Sequence, residues 1–217
     1  MLKEIATGLI KGNEILQGPP GTGKTTLAGD LKDSLKQKCA ELQINHFPHI
    51  WSDINSDALQ TLAMAECLFA GLAPCQSADY APVCLEYCRT LEIQLNSTIF
   101  THFKNSVNIS NLTNRNWNYE KLTNNRELTL GECIFMLEKC TAPHHATTEL
   151  YNFIKSNVKN YHNLFALCTD SLKQINVSVR RKAAHTTLMS YDELLEARQK
   201  VLGIGNVNVM YTLLDKR

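Results

Sequence analysis

The sequence predicts an α/β fold of three layers, in which helices cover both faces of a mainly parallel β-sheet. Near the amino terminus, a short apolar run at residues 15–17 reads as the end of a buried strand, and an amphipathic helix is expected from residue 24 to about residue 42. A second strand and helix are expected at residues 46–51 and 57–72. Strands that alternate with helices are typical of parallel sheets.

The glycine-rich segment at residues 18–25 is the most informative feature of the chain. It reads Gly-Pro-Pro-Gly-Thr-Gly-Lys-Thr and fits the phosphate-loop pattern G-x-x-x-x-G-K-S/T at every fixed position. In such a loop the glycines let backbone amides surround phosphate oxygens, Lys24 reaches the β- and γ-phosphates, and the Thr25 hydroxyl binds Mg²⁺. The next helix points the positive end of its dipole at the same anion. The segment predicts a P-loop NTPase whose nucleotide site contains Gln17, Gly18, Pro19, Pro20, Gly21, Thr22, Gly23, Lys24, Thr25 and Thr26.

Length, charge and hydropathy restrict the class of protein to which the chain can belong. The chain has 217 residues, which is most simply one domain over 1–217, with an insertion expected at about 73–160. Lys and Arg number 22 against 21 Asp and Glu, so the overall charge does not point to nucleic acid. Neither a membrane span nor a signal peptide is expected, which predicts an intracellular protein with no membrane partner. The eight cysteines are then expected to be reduced thiols.

Two segments resemble motifs of superfamily 1 helicases, in particular the nonsense-mediated-decay type and the nidovirus replicative helicases. Residues 17–26 resemble motif I, and Gln17 before the loop favours this family. Residues 50–59 are similar to motif Ia, and the resemblance implies that Ser52 and Asn55 contact the nucleic-acid backbone. Without the resemblance, the second segment is a strand, a turn and a helix with its N-cap. The resemblance implies the first RecA-like domain, over residues 12–217, which binds ATP and Mg²⁺ and couples hydrolysis to translocation on single-stranded RNA or DNA.

The later motifs match less well. Residues 164–169 resemble the strand that precedes the Walker B box, and residues 188–193 resemble the box itself. The resemblance implies that Asp192 binds Mg²⁺ together with Thr25, and that Glu193 positions the attacking water while Lys24 stabilises the phosphates. The acidic pair could equally open a helix over residues 192–201, because acidic side chains are favourable at a helix N-terminus. Residues 205–210 resemble motif III, with Asn206 and Val209 in place of its Asp and Gln.

Two other interpretations of the phosphate loop stay open. The same residues fit an AAA+-type ATPase, which would need a Walker B aspartate nearer the loop, and they also fit a nucleotide-binding module that does not hydrolyse. The resemblance places the catalytic arginines of a helicase on a second RecA-like domain, which lies outside these residues. We therefore expect this chain to bind ATP far better than it hydrolyses it, unless a second domain or a partner chain completes the site.

Two further clusters have both a functional and a plain interpretation. Cysteines and histidines could hold zinc, or the cysteines could be ordinary buried thiols, since no Cys-x-x-Cys pair occurs. The basic run at residues 180–182 could contact nucleic-acid phosphates, or it could be a solvated turn. The candidate zinc ligands are Cys84, Cys88, Cys133, Cys140, His144 and His145.

Overall fold

The computed structural model describes residues 24–73, 75, 78–112, 116–140, 148–184, 188–203 and 209–214, with the backbone alone at 24–29 and 167–169. This part of the chain is almost entirely helical and contains no β-strand. The predicted three-layer α/β fold with a mainly parallel sheet is therefore wrong. Residues 164–169 belong to helical structure, and residues 188–190 form neither a helix nor a strand. The strand predicted at residues 15–17 lies outside the described residues.

The helices follow one another along the chain with short connections. They are α1 (Lys24–Asn45), α2 (Ser56–Leu72), α3 (Ala81–Leu95), α4 (Thr101–Ser106), α5 (Trp117–Thr123), α6 (Leu130–Cys140), α7 (Thr148–Asn157), α8 (Tyr161–Leu167), α9 (Arg181–Ala184), α10 (Tyr191–Leu202) and α11 (Val209–Leu214). Short 3₁₀ helices occur at Trp51–Asp53 and Ile109–Asn111. Three π-helical stretches, Asn96–Phe100, Cys168–Leu172 and Ile175–Arg180, lie within longer helical segments.

The apolar run at residues 46–51 folds as a turn and not as the predicted strand. The amides of His46 and Phe47 both donate to the carbonyl of Leu42, at 3.0 and 2.9 Å, and so close the end of α1. Pro48 has no amide hydrogen for a ladder bond. Phe47 is fully buried and packs in the hydrophobic core. A short apolar run can be buried in either way, and its periodicity does not decide between them.

Helix α3 lies at the centre of the molecule. It contacts α2, α6, α9, α10 and α11, so that it is surrounded on most sides. Ten of its residues are buried, and Val83, Tyr87 and Leu91 are completely inaccessible to solvent. A helix that buries ten of its 15 residues can be stable only inside a core. Helices α3 and α6 fall in the range where an insertion was expected, and their residues share one hydrophobic core with those of α2 and α10.

Polar pairs set the register between α2 and α3. The Thr61 and Thr90 hydroxyl groups are 2.9 Å apart in the buried interface. One turn further along, the amide of Asn55 donates to Gln94 Oε1 at 3.0 Å. Because an unpaired polar group is costly to bury, these bonds favour one alignment of the two helices over its neighbours.

The π-turn after α3 is held by the side chain of Asn96, which is almost completely buried. Asn96 Nδ2 donates to the carbonyls of Glu92 and Leu128, at 2.9 and 2.7 Å, and Asn96 Oδ1 accepts from the Leu128 amide at 3.0 Å. A side chain that bonds the carbonyl four residues earlier competes with the regular helical ladder. The same amide thus widens the helix locally and fastens the loop that leads to α6.

We expect Asn96→Ala to destabilise the protein by about 2–3 kcal/mol, because it leaves both polar groups of Leu128 buried without their partner. The measurement is urea unfolding followed by circular dichroism. Asn105→Ala is the matched control, since Asn105 is exposed in α4. Equal midpoints for the two variants would show that the Asn96 bonds do not hold this loop.

Candidate functional site

The phosphate-loop motif lies at the boundary of the described chain. Gln17, Gly18, Pro19, Pro20, Gly21, Thr22 and Gly23 are outside the described residues. The backbones of Lys24, Thr25 and Thr26 form the first turn of α1, a helix of 22 residues. The helix that the motif requires after its last glycine is therefore confirmed.

Helix α1 leaves the core toward its amino-terminal end. Leu42 is buried, Leu35 and Cys39 are half-buried against the core, and Asp30, Lys32 and Asp33 are exposed. The contacts of α1 with the helical body are mainly with α2. Its first turn carries no acidic side chain, so no carboxylate of α1 neutralises the positive end of its dipole. An external anion is the natural partner of such a helix start.

The two residues predicted to contact nucleic acid lie in the link between α1 and α2. Ser52 is exposed in the 3₁₀ helix Trp51–Asp53. Asn55 is the N-cap of α2, and its Oδ1 accepts from the amides of Asp57 and Ala58 at 2.9 and 3.3 Å. The plain interpretation of this segment as a helix N-cap accounts for the conformation of Asn55. Its role toward nucleic acid stays a prediction.

Asp192 and Glu193 open helix α10. Ser190 is the N-cap, and its amide and hydroxyl donate to Glu193 Oε2 at 2.9 and 3.0 Å, while the Glu193 amide donates to Ser190 Oγ at 3.3 Å. This reciprocal pattern is a capping box. Lys182 also donates to the Glu193 carboxylate, and Asp192 is exposed. The helix-opening interpretation of the acidic pair is the one that the geometry supports.

The surroundings of Glu193 stabilise its charged form. The hydrogen bond from Lys182, followed by the bonds from Ser190, lowers the pKa of the Glu193 carboxyl below its ordinary value of 4.5. A lowered pKa in the folded state means that the carboxylate stabilises the fold above the unfolded-state pKa, and that this contribution is lost as the pH falls through the folded-state pKa.

We therefore expect Glu193→Gln to destabilise the protein by about 0.5–1 kcal/mol at pH 7, because glutamine can keep the capping bond to Ser190 but loses the charge that Lys182 and the helix dipole stabilise. The difference from the wild type should disappear as the pH falls well below 4.5. Urea unfolding at a series of pH values measures it. Asp192→Asn is the control, because Asp192 is exposed in the same turn and makes no capping bond. If Glu193→Gln were as stable as the wild type at pH 7, the Glu193 charge would make no contribution to stability.

The basic run at residues 180–182 is largely paired with acidic residues. Arg180 Nη2 lies 3.8 Å from Glu92 Oε2, and Lys182 bonds to Glu193. Arg181 is exposed at the start of α9. Two of the three cations thus have carboxylate partners within the fold, which weakens their attraction for an external phosphate chain.

The cysteines of the described chain are free thiols. Cys84, Cys88, Cys133 and Cys140 are buried, as the plain interpretation predicts, and burial raises the pKa of the Cys84 thiol to about 12. A buried neutral thiol packs as a small apolar side chain. Within the described ranges, His, Cys, Asp and Glu form no group of three that could hold a metal ion. His144 and His145 are outside these ranges.

An ion pair that the sequence analysis did not predict joins α2 to α10. Arg198 donates through Nε to Glu66 Oε1 at 2.9 Å and through Nη2 to Glu66 Oε2 at 2.8 Å. The Tyr87 hydroxyl of α3 donates to the same Oε1. The Glu66 side chain is 7% exposed and that of Arg198 is 19% exposed. The Arg198 guanidinium also lies over the Phe69 ring, 4.7 Å from its centroid.

At neutral pH the Arg198 side chain is charged and the Tyr87 hydroxyl is neutral. Burial alone would lower the pKa of Arg198, but the hydrogen bonds and charge of Glu66 outweigh it and raise that pKa. Burial, reinforced by the Glu66 charge, also raises the pKa of Tyr87. Neither group exchanges a proton near neutrality, so the geometry suits a structural role. The one signal in the sequence is Glu66 itself, an acidic residue within the otherwise apolar residues 62–72, which must find a partner when buried.

We expect Arg198→Met to destabilise the protein by about 3–5 kcal/mol, because it leaves the Glu66 carboxylate buried and unpaired. The triple variant Glu66→Met, Tyr87→Phe, Arg198→Met should recover most of that loss, since it removes the buried charge and its hydrogen-bond partners together. Denaturant unfolding measures both effects. Arg181→Met is the control at an exposed site and should change stability by less than about 0.5 kcal/mol. A small effect of Arg198→Met alone would mean that solvent stabilises the Glu66 carboxylate in the absence of Arg198.

The sequence matches no family model, no curated protein and no solved structure. The resemblance to superfamily 1 helicases therefore rests on the quoted motifs alone. In the described ranges, every helix is either too short or too polar to cross a lipid bilayer.

Proposed function

We propose that this protein binds the triphosphate of a nucleotide through residues 18–25, as a nucleotide-binding module. The observation that carries the proposal is the position of α1, which runs Lys24–Asn45 and so follows the glycine-rich segment directly. Backbone amides before the helix, the Lys24 ammonium group and the helix dipole would then converge on the same phosphates. Mg²⁺ would accompany the nucleotide, with the Thr25 hydroxyl as a ligand.

Charge distribution supports the same end of α1. Helices α2 and α10 carry their own carboxylates in the first turn, at Asp57 and at Asp192 and Glu193. The first turn of α1 has none. A carboxylate at this position would repel a triphosphate, and its absence leaves the helix dipole available to the ligand.

Hydrolysis and translocation receive no comparable support. The Glu193 carboxylate is engaged by Ser190 and Lys182, and Asn55 is engaged as the cap of α2. In a RecA-like helicase, the parallel sheet carries the water-positioning and nucleic-acid-contacting residues to the phosphate loop, and the described chain has no strand to do so. We therefore propose nucleotide binding without hydrolysis. Hydrolysis coupled to single-stranded RNA or DNA stays a prediction from the motifs.

Isothermal calorimetry and thermal unfolding with Mg-ATP test the proposal. At a ligand concentration of about 100 times Kd, binding should stabilise the folded chain by about 2.7 kcal/mol. Lys24→Ala should abolish both the binding heat and the stabilisation while leaving the melting temperature of the ligand-free protein unchanged. Lys32→Ala removes the same charge from an exposed position of α1 and should behave as the wild type.

Three results would contradict the nucleotide-binding module. Absence of binding heat with folded wild-type protein would overturn the phosphate site. Equal losses in Lys24→Ala and Lys32→Ala would indicate general charge attraction. Turnover of ATP that single-stranded RNA stimulates, and that Glu193→Gln abolishes, would establish the helicase interpretation in its place.

A further inference from the structure

A second buried acidic residue, Glu86 of α3, lacks the kind of partners that Glu66 has. Glu86 is 4% exposed. Within the described residues, its carboxylate accepts no hydrogen bond from a side chain or from a backbone amide. Its cationic neighbour is Arg89, three residues further along, whose Nη1 lies 4.0 Å from Glu86 Oε1. This separation exceeds the range of about 2.7–3.2 Å that is typical of an N–H···O hydrogen bond.

Glu86 lies on the side of α3 that faces α2. It precedes Thr90 by four residues, so the two residues share one face of the helix. The Thr90 hydroxyl lies 2.9 Å from the Thr61 hydroxyl of α2. Thr90 also donates to the backbone carbonyl of Glu86, and not to its carboxylate. The carboxyl group is therefore buried beside a helix interface without a donor from either helix.

The charged and titratable groups of the surrounding helices act on other residues of α3. They are Glu66 of α2 and Arg198 of α10 on Tyr87, Asp79 and Glu193 on Cys84, and Arg180 and Glu92 on Cys88. Helices α6, α9 and α11 also contribute Glu132, Cys133, Lys182 and Tyr211, and Lys121 bonds Glu132 while Lys182 bonds Glu193. Of the charges in the described chain, that of Arg89 is the one that acts on Glu86.

The ionised form of Glu86 needs a donor that it does not have in this arrangement. Burial raises the pKa of the Glu86 carboxyl above its ordinary value of 4.5, and the positive charge of Arg89 offsets part of the rise. The protonated carboxyl is neutral, and its burial costs much less than that of a charge. Arg89 could supply the missing bond, because its side chain is 53% exposed and has no other partner among the described residues.

We propose that Glu86 and Arg89 form a proton-operated contact at the surface of α3. While Glu86 carries a proton, the Arg89 guanidinium stays extended in solvent. When Glu86 releases the proton to water, through the 5% of its side chain that is exposed, the guanidinium moves inward by about 1 Å and donates to the carboxylate. The position of a positive charge on this helix then depends on pH. The proposal does not rest on nucleotide binding.

The same proton links the stability of the fold to pH, in the direction opposite to that of Glu193. Because the folded-state pKa of Glu86 is raised, its contribution to stability is complete below the unfolded-state pKa and is lost as the pH rises through the folded-state pKa. The folded-state pKa of Glu193 is lowered, so its contribution is lost as the pH falls. The two glutamates are therefore matched controls for each other.

NMR titration of the full chain tests the contact, with carbon-13 signals for the glutamate carboxyls and nitrogen-15 signals for the arginine side chains. Glu86 should titrate with a midpoint above 4.5, and the Arg89 Nε–H signal should shift with the same midpoint. Glu86→Gln should abolish the Arg89 shift. Arg89→Gln should move the Glu86 midpoint to a higher pH, because the cation that favours the carboxylate is gone. Arg181→Gln, which removes an exposed cation of α9, should leave the midpoint unchanged.

Urea unfolding provides a second measurement. Glu86→Gln resembles the protonated carboxyl, so it should match the wild type at about pH 4 and unfold at a higher urea concentration than the wild type at about pH 8. Glu193→Gln should instead fall below the wild type at the higher pH. If Glu86→Gln does not fold, the titrations of the wild type and Arg89→Gln decide. Any of three results would overturn the proposal: a Glu86 midpoint at or below 4.5, an Arg89 signal that does not follow Glu86, or an unchanged Glu86 midpoint in Arg89→Gln.

Discussion

The burial of α3 on most of its sides is the constraint on which the rest of the structure depends. Its apolar side chains can be satisfied only if other helices surround it, and α2, α6, α10 and α11 do so. Packing of this kind is tolerant of sliding, because apolar contacts carry little direction. The Glu66 carboxylate accepts two hydrogen bonds from Arg198 and one from the Tyr87 hydroxyl. These bonds fix the alignment of the helices, because a shift of either helix would leave a charge buried without its partner.

The sequence predicts local structure well and the fold badly, and the reasons are physical. The helices α1 and α2 and an N-cap before α2 are local signals, and the structure confirms them, with Asn55 as the cap. The strands rested on apolar runs of about six residues, which a helix or a turn buries equally well. Phe47 and Met189 are buried outside any strand. Which elements surround α3 depends on contacts between residues far apart in the chain, such as Glu66 and Arg198, and no spacing rule encodes them.

The difference between local and long-range information also separates the two functions that the motifs predict, phosphate binding and hydrolysis. A phosphate loop acts through its own backbone and the first turn of the next helix, so a short segment carries the information. A catalytic carboxylate acts only where the fold brings it to the phosphates, and a pair of adjacent acidic residues does not say where that is. For Glu193 the local chemistry of helix capping explains the residue completely, through Ser190 and Lys182.

The first turns of the long helices differ in whether they carry an acidic side chain. Helices α2, α6, α7 and α10 each carry an acidic side chain in the first turn, and its negative charge compensates the positive end of the helix dipole. Helix α3 has none, but Pro82 occupies its first turn and its amino-terminal residues are buried in the core. Helix α1 also has none, and Asp30, Lys32 and Asp33, which follow its first turn, are exposed. Among the long helices of the described chain whose starts lie outside the core, α1 is therefore the one without an acidic side chain in its first turn, and the proposal places the phosphates there because the glycine-rich segment directly precedes it in the sequence.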